Sequence, residues 1–186
     1  MTKGKIIVIS GPSGVGKNHI ISEFIDIADL NLAQSISMTS REKRSGERDG
    51  IDYDFVSRDY FESAIRMGDL VEYTEFLGNY YGTPVDNVNR LRNLGKNVLI
   101  EVEAKGAKAI KEKYPDSITI FIAPSSLESL EKQIRERREE SEEIVQERLA
   151  KAKKELNLIG HYKFVVNNED ARLAGELCAL IIRRMI

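Results

Sequence analysis

Residues 5–28 constrain the fold more than any other part of the chain. Lys5-Ile6-Ile7-Val8-Ile9-Ser10 is a short β-branched run that stops at Gly11-Pro12-Ser13-Gly14-Val15-Gly16-Lys17. From Lys17 to about Ala28, the residues Ile20, Ile21, Phe24, Ile25 and Ala28 recur at helical spacing. An unbroken apolar run bounded by glycine reads as a strand buried on both faces, and such strands belong to parallel sheets covered by helices. The loop between strand and helix fits G-x-x-x-x-G-K. Glycines in that pattern let backbone N–H groups converge on phosphate oxygens. The following helix aims its positive end at them, and the lysine reaches the terminal phosphates. An ordinary glycine-rich turn is the competing reading. Placement between a buried strand and an apolar-periodic helix favours a nucleotide-phosphate site at Gly11, Pro12, Ser13, Gly14, Val15, Gly16 and Lys17.

The next position departs from the pattern. A Ser or Thr hydroxyl there ligates Mg²⁺; this chain has Asn18. The amide oxygen is a hard neutral ligand suited to the metal or to a metal-bound water, but it sits on a longer side chain with donors of its own. His19 has two readings, a surface residue or a phosphate contact, of which the first is favoured.

The remaining chain repeats the alternation. Asn97–Val102 reads as a second buried strand, followed by a helix over Gly106–Lys113 that ends at Tyr114-Pro115. Ser117–Ile122 is a third strand, stopped by Ala123-Pro124. Ser126 caps a long charged helical region with Leu127, Leu130 and Ile134 on one face. Tyr162–Val166 is a last strand and Ala171–Met185 a terminal amphipathic helix. Two segments break the rhythm. Residues 35–84 hold polar alternation and most of the tyrosines, with half-exposed strands over Asp52–Val56 and Leu70–Tyr73 and a helix over Tyr60–Arg66. Residues 131–148 are mostly Glu and Arg, with little to bury. The first reads as an inserted lobe and the second as a mobile helical flap.

Composition excludes several partners. Lys+Arg 28 against Asp+Glu 30 gives a net charge of −2, so no basic excess marks a nucleic-acid or anionic-membrane binder. Any anion must be held locally. The apolar run Ile6–Ile9 is too short for a signal peptide, and none approaches a membrane span. A single cysteine, Cys178, makes no internal disulfide. A cytoplasmic protein of one domain is expected.

Further motifs carry a resemblance. Ser35-Ile36-Ser37-Met38-Thr39-Ser40-Arg41 leads into Arg44-Ser45-Gly46-Glu47, then Asp49-Gly50-Ile51-Asp52-Tyr53-Asp54-Phe55-Val56 and Gly78-Asn79-Tyr80-Tyr81-Gly82-Thr83. With the phosphate loop, these resemble the guanylate kinase family (ATP:GMP phosphotransferases) over essentially the whole chain. The resemblance implies the P-loop nucleoside monophosphate kinase fold. That is an α/β parallel sheet flanked by helices, with an inserted GMP-binding lobe and a helical lid. The core would be 1–34, 85–126 and 156–186, the lobe 35–84 and the lid 127–155.

The resemblance also implies roles. Arg41, Arg44, Tyr53 and Tyr81 would hold the GMP phosphate, two guanidiniums forking onto a dianion and two phenols donating without adding charge. Ser37, Glu72, Thr83 and the acidic Glu103 would form the guanine pocket, Glu103 standing where the family usually has Asp. From its place at the end of a strand, Glu101 reads either as an anchor for magnesium or its waters or as a sheet-edge carboxylate; with Asn18 it is the candidate to serve Mg²⁺, carried as Mg-ATP. Arg137 and Arg148 in the lid would reach the ATP phosphates, acting with Lys17 and Arg41 on the transferring group. Gln133 stands where an arginine is common, and Glu136 and Arg138 replace glycines; Arg135 is the candidate to compensate. Asn168 reads either as the residue against adenine or as a plain turn residue. The substrates implied are ATP and GMP. One alternative is a guanylate-kinase-like module that binds a protein partner without catalysis. A kinase with a sugar-phosphate acceptor is another, and Glu72 with the Gly78–Thr83 element argues against it.

Overall fold

The computed structural model describes residues 3–137 and 141–186, with the backbone alone at Arg137. Strand β1 (Ile6–Ser10) is buried at every position. Its alternate side chains feed two cores. Ile7 and Ile9 pack with Ile20, Phe24, Cys178 and Ile182 on one face of the sheet. Ile6 and Val8 pack with Val88, Ala107 and Ile110 on the other. That double burial is why the run is continuously apolar rather than alternating.

The loop after β1 enters helix α1 (Lys17–Ser22), which is shorter than the periodicity predicts. Glu23 and Phe24 donate three residues back, to Ile20 and Ile21. This tightens the chain into turns, so Phe24 still reaches the core without helical backbone. A strand without a sequence signal follows: β2 (Leu32–Gln34), short and half exposed.

An inserted four-stranded sheet comes next. It contains β3 (Met38–Thr39), β4 (Asp54–Phe55), β5 (Leu70–Phe76) and β6 (Asn79–Pro84), in the order β4-β3-β6-β5. Helix α2 (Arg58–Met67) crosses it, capped by the Ser57 hydroxyl accepting from the Tyr60 N–H. Met38, Phe61, Ala64 and Leu70 form a small core of their own there. Strand β6 was not anticipated, because Asn79-Tyr80-Tyr81-Gly82-Thr83-Pro84 lacks apolar alternation.

Helix α3 (Val85–Asn93), also without a sequence prediction, leads to β7 (Asn97–Glu101), and α4 (Ala104–Lys113) to β8 (Ile118–Pro124). Strand β8 continues through Pro124 rather than stopping before it. Pro124 is its terminal pairing position, opposite Asn168, and a strand's end tolerates proline. The charged region divides into α5 (Leu127–Arg137) and α6 (Glu142–Leu156). It buries more than expected: Leu130, Ile134, Val145 and Leu149 join the main core. Strand β9 (Phe164–Asn168) starts two residues later than predicted, and α7 (Ala171–Met185) has the predicted bounds. Among the described residues no helix is long and apolar enough to cross a membrane.

The main sheet runs β2-β7-β1-β8-β9, all parallel. Its register sets Ile9 beside Glu101 and Ser10 beside Phe121. The phosphate loop and Glu101 therefore leave the same carboxyl edge, the edge at which open α/β sheets hold ligands.

Candidate active site

A cleft of about 810 Å³ opens over that edge, between the phosphate loop, the inserted sheet and α6. Gly11 has φ 149°, and a Cβ there would lie 2.4 Å from the Ile122 carbonyl oxygen, so the turn out of β1 admits no side chain. Lys17 Nζ donates to the carbonyls of Gly11 (2.8 Å) and Pro12 (3.2 Å), folding its charge over the loop. Asn168 Nδ2 donates to the Val15 carbonyl at 2.6 Å, bracing the loop from β9. Arg148, on α6, donates to Ser13 Oγ at 2.8 Å. Asn18 places its amide nitrogen 2.5 and 3.2 Å from the two Glu101 carboxylate oxygens, in the orientation that satisfies both groups. Burial pushes the Glu101 carboxyl up, and the Lys17 ammonium opposes that.

The opposite wall carries the arginine and tyrosine set. Arg41 forks onto Glu47 through Nη1 (3.0 Å) and Nη2 (2.8 Å), and Nη1 also donates to the Glu42 carbonyl. The fork holds the Glu47 carboxyl down to about 2. The Arg44 backbone N–H donates to the same carboxylate, while its exposed side chain lines the cleft. Tyr53 and Tyr81 meet edge to face at 6.1 Å, and Arg41 lies 5.6 Å over the Tyr53 ring. Burial pushes the Tyr53 phenol up, reinforced by Glu101, so it remains a donor.

Glu72 lies deepest. The β5–β6 register slips between Leu70 and Glu72, a bulge at Val71. Leu70, Val71 and Glu72 are consequently all buried where a regular strand would alternate. Leu70 enters the small core and Val71 the sheet core, while Glu72 turns into the cleft. Opposite it in the ladder, Thr83 Oγ1 donates to Glu72 Oε1 at 2.6 Å. Gly106 of α4 is pressed against this carboxylate: a Cβ there would fall 2.6 Å from Oε2. Burial pushes the Glu72 carboxyl up to about 7, with Glu103 adding to the effect and the Thr83 hydrogen bond opposing it. Glu103 takes an ion pair from Lys151 of α6 at 2.6 Å. An acceptor edge thus faces the same space as a phosphate loop and a cluster of cations.

A sequence profile described as guanylate kinase matches residues 3–181. The chain belongs to the guanylate kinase family. A guanylate kinase from Malacoplasma penetrans (strain HF-2) is 46% identical over 176 residues, covering 94% of this chain and 90% of that protein. One from Lactococcus lactis subsp. lactis (strain IL1403) is 44% identical over 180 residues, 97% of this chain and 87% of that one. The crystal structure of guanylate kinase from Anaplasma phagocytophilum matches with a TM-score of 0.78 at 30% identity, covering 98% of this chain and 86% of that chain. An unliganded sugar kinase from Janibacter sp. HTCC2649 shares the fold at 13% identity, with a TM-score of 0.53 over 96% of this chain and 94% of that one. The fold of this guanylate kinase family member is the P-loop kinase fold expected from its sequence.

The cleft brings together Ser13, Gly14, Gly16, Lys17, Asn18, Ser37, Arg41, Arg44, Tyr53, Glu72, Tyr81, Glu101, Glu103 and Arg148. Thr83 is buried behind Glu72 and meets the cleft through it. Gly11, Pro12 and Val15 shape the loop without lining the cleft, and exposed His19 also stands outside it. Asn168 spends its amide on the loop. Arg135, the candidate to compensate for Gln133, is bound to Glu131 and Glu142 on an exposed face and does not line the cleft. The Arg137 side chain and Arg138 lie outside the described residues. Glu47, Gly106 and Lys151 were not singled out as site residues. Glu47 sits inside the quoted Arg44–Glu47 motif, whereas Gly106 and Lys151 matter only through long-range packing.

Proposed function

We propose that this chain transfers the γ-phosphoryl group of ATP to GMP, giving ADP and GDP. The observation that carries the reading is Glu72, a buried carboxylate held by Thr83 in the same cleft as the phosphate loop. Guanine presents two adjacent donors, N1–H and the N2 amino group, to which one carboxylate can accept twice. Adenine presents an acceptor at N1 and would leave the carboxylate unpaired. Sites built in this way discriminate strongly, because the wrong ligand strands a buried polar group.

Lys17, released from the Gly11 and Pro12 carbonyls, offsets charge on the terminal ATP phosphates. Arg41, Arg44, Tyr53 and Tyr81 hold the GMP phosphate. An oxygen of that phosphate, already ionised, forms the new bond to the γ-phosphorus as the bond to the β-bridging oxygen breaks, so no general base is needed. Arg148, and Arg137 by family resemblance, neutralise charge between donor and acceptor. Closure of the 127–155 lid excludes water that would hydrolyse ATP.

Magnesium fits this donor set. The ion keeps most of its waters and is held by one or two carboxylates plus substrate phosphates. Glu101 supplies such a carboxylate beside Lys17 and Asn18. When bound, Mg²⁺ would neutralise phosphate charge there. Residence in the cytoplasm, where both nucleotides and Mg²⁺ occur, belongs to the same reading. A coupled ADP-release assay tests it. Turnover should require ATP, GMP and Mg²⁺ together, and folded protein with a rate within tenfold of background would favour a non-catalytic binding module.

A further inference from the structure

Lys151 lies on α6, one helical turn beyond Arg148 in the segment read as the lid. Its ammonium is 2.6 Å from Glu103 Oε2 and 4.4 Å from the centre of the Phe76 ring. Arg148 lies over the same ring at 5.6 Å. Phe76 ends β5, the strand that carries Glu72. One point therefore joins the lid helix, the N-terminus of α4 and the end of the GMP-lobe strand.

The charges around that point are unbalanced. Glu103 precedes α4, Glu72 faces it from β5, and Glu155 comes from α6, one turn beyond Lys151. Glu155 is buried, with Oε1 3.5 Å from the Ala104 N–H. Both Glu72 and Glu155 carry raised carboxyl pKa values, from burial first and from Glu103 second. Lys151 and, less strongly, Lys17 oppose the effect at Glu155, and Lys151 is the cation in contact with Glu103. Carboxylates crowded in a part-dry pocket repel unless a counter-charge is fixed among them.

We propose that Lys151 is a specificity-determining positioning residue of the guanine pocket. From α6 it supplies the counter-charge that holds the Glu103 carboxylate in place beside Glu72, with the Phe76 ring fixing where its ammonium lies. Glu103, with Oε2 taken by Lys151, lines the pocket. The lid helix thereby contributes to the guanine site as well as to the phosphate site. The aromatic contact favours a cation at that spot. This inference rests on GMP being the acceptor.

The test compares Lys151→Met, Lys151→Arg, Glu103→Gln and the double variant Lys151→Met/Glu103→Gln in steady-state kinetics of the full chain. Lys151→Met keeps the apolar stem and removes the charge. It should raise KM for GMP by about tenfold, a change of about 1.4 kcal/mol, with the loss falling on GMP rather than on kcat or KM for ATP. Lys151→Arg should recover most of it. In the Glu103→Gln background the same change should alter KM for GMP by less than about twofold, because the carboxylate it serves is gone. An unchanged or lower KM for GMP in Lys151→Met would overturn the proposal. So would an equal loss in the Glu103→Gln background, or an equal loss for ATP. If the wild-type chain binds GMP without turning it over, the functional reading fails. GMP titration of the same four variants then still decides the role of Lys151.

Discussion

Gly106→Ala tests the proposed guanine pocket apart from the rest of the protein. Gly106 lies in the first turn of α4, where alanine would ordinarily be the better helix former. Here the new methyl carbon would lie 2.6 Å from Glu72 Oε2 and 3.0 Å from its Cδ, with Val102 Cβ at 3.1 Å behind. Non-bonded heavy atoms settle at roughly 3.5 Å, so the carboxylate must retreat by roughly 1 Å. Glu72 is only 8% exposed, and its other oxygen is held at 2.6 Å by Thr83. It cannot swing aside without losing that bond or its aim at guanine. A charge-assisted hydrogen bond is worth about 1.5–3 kcal/mol. Losing the geometry of one predicts a tenfold to hundredfold weaker GMP affinity. Calorimetric titration with GMP and, separately, with an ATP analogue reads the effect, and thermal melts read stability. The expectation is a selective loss for GMP, with ATP affinity retained and a melting temperature near wild type. Normal GMP affinity in a folded Gly106→Ala protein would refute the placement of Glu72 in the guanine pocket.

Other substitutions probe separate features. Leu77 has φ 50° and Gly78 φ 74° in the two-residue turn joining β5 to β6, and Leu77 is half exposed. Such turns favour Asn-Gly, so Leu77→Asn should stabilise the fold by about 0.5–1 kcal/mol, raising the melting temperature by about 1–4 °C; no rise would mean that Leu77 packs more than its exposure implies. The Glu72 carboxyl is raised from 4.5 to about 7 in the folded chain, so wild-type stability is fully present below the lower value and is lost as pH rises through the upper one. The stability of Glu72→Gln relative to wild type should therefore climb by up to roughly 3 kcal/mol between pH 4.5 and 7 and level off above it; denaturant unfolding at pH 5 and pH 8 with the same difference at both would contradict this. Asn18→Ser releases Glu101 from the amide that now contacts both its oxygens, and should lower the Mg²⁺ needed for half-maximal rate; an unchanged Mg²⁺ dependence would make position 18 irrelevant to the metal.

Legibility in the sequence followed the physics of each element. β1 and the phosphate loop were plain because one short stretch carries both the double-sided burial of Ile6–Ile9 and a backbone requirement at Gly11. α7 was plain because its apolar stripe is long and uninterrupted. α1 was overextended because Phe24 keeps a helical position in the apolar pattern while the backbone has already turned. β2 left no trace because a three-residue edge strand needs little apolar surface and is held by pairing to β7. The charged segment misled for a different reason. Its few apolar residues, Leu130, Ile134, Val145 and Leu149, are spaced across two helices. Only folding brings them onto one surface. Glu72 was singled out through resemblance to a family, not through pattern, since Leu70, Val71 and Glu72 are all buried across the bulge and leave no alternation to read.

The cleft has a further physical property that composition could not reveal. Its main cations each hold an acceptor from the chain itself: Lys17 the Gly11 and Pro12 carbonyls, Arg41 the Glu47 carboxylate, Arg148 the Ser13 hydroxyl. These oxygens keep the cations aimed and partly desolvated. Under the proposed function, phosphate binding is then an exchange of one oxygen acceptor for another, without assembly of the site from water. The partners differ in strength. A carbonyl or hydroxyl yields readily to a phosphate oxygen, whereas a bidentate carboxylate does not. Lys17, held by carbonyls, can consequently transfer to phosphate, while Arg41 keeps Glu47 and meets phosphate with its remaining N–H groups. Glu47 fixes the plane of that guanidinium, and the acceptor arginine is held rigid while Lys17 moves.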